Sequence, residues 1–175
     1  MEINHSQDNI PEDLRPSDAQ FETSEDHADV KILPPFIFGS FLILAVILEI
    51  FMGANLFRWS AQLVLGLTGL SFGAGLMTWC VMRFINAATA LNPKKPTSTL
   101  VTDGPYCMSR NPIYVAFISL YLGIVFIFDI VWGLPLLLPM IYIVRRFVIT
   151  PEEAYLERRF GEEYETYKKT VRRWL

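Results

Sequence analysis

The chain has 175 residues, 52% of them hydrophobic, and a formal charge of −3. Its length bounds it to one domain, and a mean hydropathy of +0.32, positive despite a strongly polar leader, argues against a water-soluble globule. Cys80 and Cys107 are too few for a disulfide framework, and with both histidines (His5 and His27) in the leader the set of about four ligands a zinc site needs is missing, so no metal is expected.

Residues 1–30 carry nine acids and one base, a formal −8, whereas residues 31–175 carry nine acids and fourteen bases, a formal +5. The leader is acidic and poor in aromatic and periodic apolar residues, which predicts a disordered tail. It lacks the basic start and apolar core of a signal peptide. A basic body dominated by apolar runs follows it.

Four hydrophobic segments succeed one another: about Leu33 to Gly53, about Ala61 to Phe84, Pro112 to Phe128, and Ile130 to about Ile149. The first two reach the length of about 20 residues that a bilayer requires. The last two form one nearly continuous stretch, too long for a single span, which predicts a tight helical hairpin turning near Asp129. The expected fold is therefore all-α: a membrane bundle of four transmembrane helices, with an amphipathic cytoplasmic helix at the C-terminus. Two parts follow, a tail over 1–30 and a membrane domain over 31–175.

Orientation follows from the short loops. Arg83, Lys94, Lys95 and Arg110 flank or occupy the second loop, and the final segment holds Arg145, Arg146, Arg158, Arg159, Lys168, Lys169, Arg172 and Arg173. The opposite side shows only Arg58 and Asp129. The positive-inside bias places both basic segments, and hence both termini, in the cytoplasm. In a bacterium the membrane would be the inner one. Glu49, an acid within an apolar run, reads as interfacial, with Arg58 as its partner.

Two helix starts are marked. Asn111-Pro112 sets a capping residue before a proline at the first helical position. Thr150-Pro151-Glu152-Glu153 repeats the device, with Thr150 and Glu153 in capping-box spacing. Beyond it Leu156, Phe160, Tyr164, Tyr167 and Val171 fall on one face, so this helix should lie on the interface or pack on the cytoplasmic mouth of the bundle. Gly161 is the position where it would bend. In the second span, Gly66, Gly69 and Gly73 form one stripe suited to close helix packing. Gly73-Ala74-Gly75 also has the form of a Gly-x-Gly cofactor element, for which packing is the stronger reading.

The segment Leu100 to Tyr114 contains Gly104-Pro105-Tyr106 and Arg110-Asn111-Pro112-Ile113-Tyr114, and Thr150-Pro151-Glu152-Glu153 follows about forty residues later. Together they resemble the C-terminal half of the integral membrane methyltransferases that use S-adenosylmethionine, a group that includes isoprenylcysteine carboxyl methyltransferases and phospholipid N-methyltransferases. The resemblance covers roughly residues 85 to 175. Asn111 departs from the histidine of the isoprenylcysteine enzymes and agrees with the phospholipid enzymes; Ala116 stands where a glycine is common.

The resemblance implies that Gly104, Pro105, Tyr106, Arg110, Asn111, Tyr114, Glu152 and Glu153 surround S-adenosylmethionine. Their chemistry is compatible: a helix N-terminus suits a carboxylate, and carboxylates accept well from a ribose diol or an ammonium. Helix capping alone would also explain Asn111 and the two acids. Arg145 and Arg146 either hold a negative group on the acceptor or anchor their helix at the interface.

The implied reaction is methyl transfer to a lipophilic acceptor drawn from the membrane lipids: a prenylcysteine-like carboxylate, a phospholipid amine, or a small hydrophobic metabolite or thiol. In-line displacement needs alignment above all, so no catalytic base is singled out. A non-catalytic scaffold that keeps the fold is the alternative, and nucleic acid is not an expected partner.

Overall fold

The computed structural model describes residues 30, 32–53, 59–87 and 98–175. The acidic leader and the lysines at 94 and 95 lie outside the described residues, as does Arg58. Among the described residues every regular element is helical.

Helix α1 (Pro34–Met52) opens on two prolines, which suit the first turn because its N–H groups have no acceptor there. It ends where Gly53, at φ +52°, donates its N–H to Glu49 O at 2.9 Å. Helix α2 (Trp59–Asn86) is the longest. Helix α3 (Pro112–Ile127) turns back into α4 (Gly133–Val144) through Asp129, the one non-glycine residue with positive φ among those described. Ile130 N–H reaches Val125 O at 2.9 Å and Tyr121 Oη donates to Gly133 O at 3.0 Å, so the hairpin turns where the sequence placed it. Gly133 is required there, since a Cβ would lie 2.4 Å from Val125 Cγ2.

The capping box expected at Thr150 does not form. Helix α4 runs on through a π-turn at Arg145–Ile149 into α5 (Thr150–Phe160), with Ile149 and Thr150 both helical. Thr150 Oγ1 donates to Arg145 O at 2.8 Å, and the Thr150 N–H bonds to that same carbonyl, five residues back. Pro151 is the physical reason. It lacks the N–H that would bond four residues back, and the wider turn absorbs the mismatch without ending the helix. Gly161, at φ +51°, then separates α5 from α6 (Glu162–Thr170), so the amphipathic segment is two helices rather than one bent one.

Among the described residues three helices are long and apolar enough to cross a membrane: Pro34–Met52, Ala61–Asn86, and the continuous helix from Gly133 to Phe160. Helix α3 has 16 residues, about 24 Å at 1.5 Å per residue, short of a hydrocarbon core of about 30 Å. Large apolar side chains such as Phe36, Ile50, Phe51 and Leu138 point outward, as lipid-facing residues do.

The closest pairing is α2 on α3. A Cβ on Gly69 would come within 3.1 Å of Ser119 O, and one on Gly73 within 2.8 Å of Leu120 Cγ and 3.0 Å of Ala116 O. Gly75 has open space around it. The Gly-x-Gly therefore splits into one packing glycine and one without a neighbour. Gly73→Leu is expected to destabilise the bundle by about 1–3 kcal/mol through overpacking, whereas Gly75→Leu should leave thermal unfolding in detergent unchanged. Equal melting of the two variants would contradict this account of the stripe.

Helix α1 packs on α4 and α3. The helix directions alternate, so the start of α1, the end of α2, the start of α3 and the α4–α5 junction meet at one end of the bundle. Glu49, Asp129 and Trp132 gather at the other, where Trp132 N–H donates to Glu49 Oε2 at 3.3 Å.

Candidate functional site

The end of the bundle that carries Arg110 and the α4–α5 junction contains a cavity of about 440 Å³, within the usual range for small-molecule sites. Its walls come from every part of the fold: Pro34 of α1, Met77 and Phe84 of α2, the loop before α3, Ile113 and Phe117 of α3, and aromatic residues of α5 and α6.

The loop is shaped by its turn residues. Gly104 sits at φ +60°, and a Cβ there would meet Arg83 Nε at 2.7 Å. Arg83 Nη1 pairs with Asp103 Oδ2 at 2.9 Å on the exposed side, a contact of small energetic weight. Gly104 and Pro105 open a 3₁₀ turn, Gly104–Cys107, that aims Tyr106 inward. Tyr106 packs edge-on against Phe84, with centroids 5.6 Å apart. Its carbonyl accepts from Tyr167 Oη at 2.7 Å, tying the loop to α6. Its own hydroxyl is buried beside the Cys80 thiol without a full hydrogen bond. Burial holds the phenols of Tyr106, Tyr164 and Tyr167 well above the ordinary phenol range, so they remain neutral donors at physiological pH.

Asn111 occupies the N-cap position of α3, but its side chain does not cap. It turns to the C-terminal segment, and Nδ2 donates to Arg173 O at 3.1 Å. Ser109, fully buried, donates to the same carbonyl at 3.2 Å and accepts the Asn111 N–H at 3.1 Å. Arg110 N–H donates to Arg172 O at 2.9 Å. A competing partner 62 residues away therefore replaces the local cap.

The two acids of α5 separate clearly. Glu152 faces the cavity, and both its oxygens accept from Tyr114 Oη, at 2.8 and 2.7 Å. Glu153 is 8% exposed and serves two guanidiniums. Arg173 binds it fork to fork, Nε to Oε1 at 3.1 Å and Nη2 to Oε2, while Arg110 Nη1 stands 3.4 Å from Oε1. Arg110 is nearly buried in the cavity wall, yet its Nε and Nη1 complete no hydrogen bond.

Of the residues expected at a cofactor, Tyr106, Arg110, Asn111, Tyr114, Glu152 and Glu153 line this one cavity. Gly104 and Pro105 shape the loop without lining it. Arg145 and Arg146 are exposed on the π-turn and do not line it. Sequence reasoning did not single out Phe84, Phe117, Tyr155 or Arg173 as site residues. The apolar stripe of the C-terminal helix did point at Tyr164 and Tyr167, which pack on the mouth rather than on the interface.

The cavity offers a guanidinium, a carboxyl group fixed by a phenol, and apolar and aromatic walls. That set suits a zwitterionic ligand carrying a flat aromatic group. Among the described residues no cluster of His, Cys, Asp and Glu could hold a metal.

The family described as phospholipid methyltransferase has a sequence model that matches residues 61–163, from α2 into the start of α6. An uncharacterized protein from Haemophilus influenzae is 54% identical over 35 residues, which cover 20% of this chain and 56% of that protein. The chain thus spans about half the length of that relative. No solved structure matches.

Proposed function

The chain belongs to the phospholipid methyltransferase family, and on that premise we propose that it transfers a methyl group from S-adenosylmethionine to a lipophilic acceptor at the cytoplasmic face of a membrane. The supporting observation is the convergence of Tyr106, Arg110, Asn111, Tyr114, Glu152 and Glu153 on one cavity. When bound, the cofactor supplies a methyl group activated on a sulfonium.

The chain's own residues bind and orient. Arg110 lines the cavity with its guanidinium beside Glu153 and Tyr164, and its positive charge would meet a carboxylate there. Tyr114 holds Glu152 in one rotamer by donating to both its oxygens, so the carboxylate is pre-aimed at donors in the cavity. Phe84, Phe117 and Leu156 exclude water around the reacting atoms. Alignment of the acceptor with the methyl group then provides the acceleration, as an in-line displacement requires.

Helices α1, α2 and α4 cross the bilayer in this reading. Helix α3 must cross with them because α4 returns from its far end, giving four spans and cytoplasmic termini. A phospholipid amine is the acceptor best matched to the family and to Asn111. Arg145 and Arg146, exposed on the π-turn outside the cavity lining, either meet the headgroup phosphate of such an acceptor or anchor the helix at the interface. Membranes carrying the chain should move label from methyl-labelled S-adenosylmethionine into the lipid extract, and Glu152→Gln should abolish most of it. Cofactor binding without any transfer across a panel of lipid acceptors would favour the non-catalytic alternative.

A further inference from the structure

We infer that the C-terminal segment 171–174 braces the ligand site from outside the cavity, and that Arg173 is a positioning residue that keeps Arg110 available to an anionic group in the cavity. This rests on the cofactor reading above.

The charge arrangement motivates it. One carboxylate, Glu153, lies between two guanidiniums, so the trio carries a net positive charge. Arg173 occupies both carboxylate oxygens. Of the two carboxylate oxygens Arg110 approaches only Oε1, at 3.4 Å, its Nε and Nη1 enclosed without a hydrogen bond and its guanidinium also meeting Tyr164. Arg110 and Glu153 line the cavity and Arg173 does not. The spare positive charge is thus carried by the guanidinium that faces the ligand. Without Arg173, Glu153 would have both oxygens to offer, and Arg110 is the guanidinium within reach. A two-point pair between them would withdraw the cation from the cavity.

The backbone contributes independently. Arg172 O and Arg173 O together hold the Arg110 N–H, the Asn111 side chain and Ser109 Oγ. Trp174 packs against the main core and anchors the segment. The strap therefore sets both the main chain of residues 109–111 and the side chain of Arg110. An anion with two coplanar oxygens, a carboxylate such as that of the cofactor's methionine end, is the ligand group it prepares for.

The test is calorimetric titration of the full chain in detergent with two ligands. S-adenosylmethionine carries the carboxylate, and 5′-methylthioadenosine lacks the amino-acid end. Arg173→Gln should weaken the first by roughly tenfold, as expected for losing a charge-assisted bond, and leave the second nearly unchanged. The double variant Arg173→Gln/Glu153→Gln should recover most of that loss, because no carboxylate remains to capture Arg110. Unchanged affinity of Arg173→Gln for S-adenosylmethionine, beside a binding wild type, overturns the inference and leaves the cofactor reading standing. Equal losses for both ligands that the double variant does not recover also overturn it, since they mark general damage. Should Arg173→Gln not fold, Arg173→Lys keeps the charge without the fork and must show the same selective loss. A wild-type chain that binds neither ligand removes the cofactor reading, and this inference with it.

Discussion

Glu153→Gln is expected to lower the stability of the chain by about 3 kcal/mol, the low end of the range for removing one partner of a buried ion pair. Glu153 is 8% exposed and is the counter-charge of both Arg110 and Arg173. Neutralising it leaves two neighbouring guanidiniums without their shared counter-charge. The low end applies because the Arg173 side chain keeps 32% of its surface in water. For a chain of this size such a loss corresponds to a fall in melting temperature of roughly 6–12 °C, measurable in detergent. Arg173→Gln/Glu153→Gln should melt above Glu153→Gln, because the surplus cation is gone. A single variant that melts with the wild type would show that Glu153 is not the centre of this network.

Glu152→Gln should behave in the opposite way. Its side chain meets Tyr114 and the cavity, with no cation depending on it. Glutamine can still accept from Tyr114 Oη through its carbonyl, so stability should change by less than about 1 kcal/mol. Burial pushes the Glu152 carboxyl up to about 7, so above that pH the variant removes a charge available to ligand donors. Affinity for S-adenosylmethionine should then fall by about 1.5–3 kcal/mol, more than tenfold. Two adjacent acids that are equivalent in sequence are thus expected to separate experimentally, Glu153 acting on stability and Glu152 on binding. Unchanged affinity in Glu152→Gln would remove this carboxylate from the site.

The division between what was legible in the sequence and what was not follows the range of the interactions. Helix ends set by local chemistry were readable at Gly53 and the Asp129 turn, and Gly161 was legible as an irregularity, though as a bend rather than a break. The glycine stripe on α2 was readable for the same reason, since the spacing of Gly66, Gly69 and Gly73 already fixes one face. The motif residues of the loop and of α5 were identifiable, and the fold brings six of them to one cavity.

Competition hid the rest. Thr150 and Glu153 have capping-box spacing, but Pro151 is absorbed by a π-turn whose wider bond the spacing does not announce. Asn111 has the composition of a cap, yet a carbonyl 62 positions away wins its side chain. The role of Arg173 rests wholly on such distant contacts. Its only sequence signal was a paired arginine beside Trp174 at the chain end, indistinguishable there from interfacial charge. Helix α3, at 16 residues, shows why hydropathy alone set the span count less firmly than the hairpin itself.

The central claim is that the cavity, and not another part of the bundle, receives S-adenosylmethionine. Ultraviolet crosslinking of labelled cofactor to the full chain in detergent, followed by peptide mapping, tests it most directly. Saturable labelling is expected on the peptides that wall the cavity, residues 98–117 and 151–167 together with Pro34, Met77 and Phe84, displaced by excess unlabelled cofactor. Label that does not saturate, or that falls on the Gly73–Gly75 portion of α2, would contradict it.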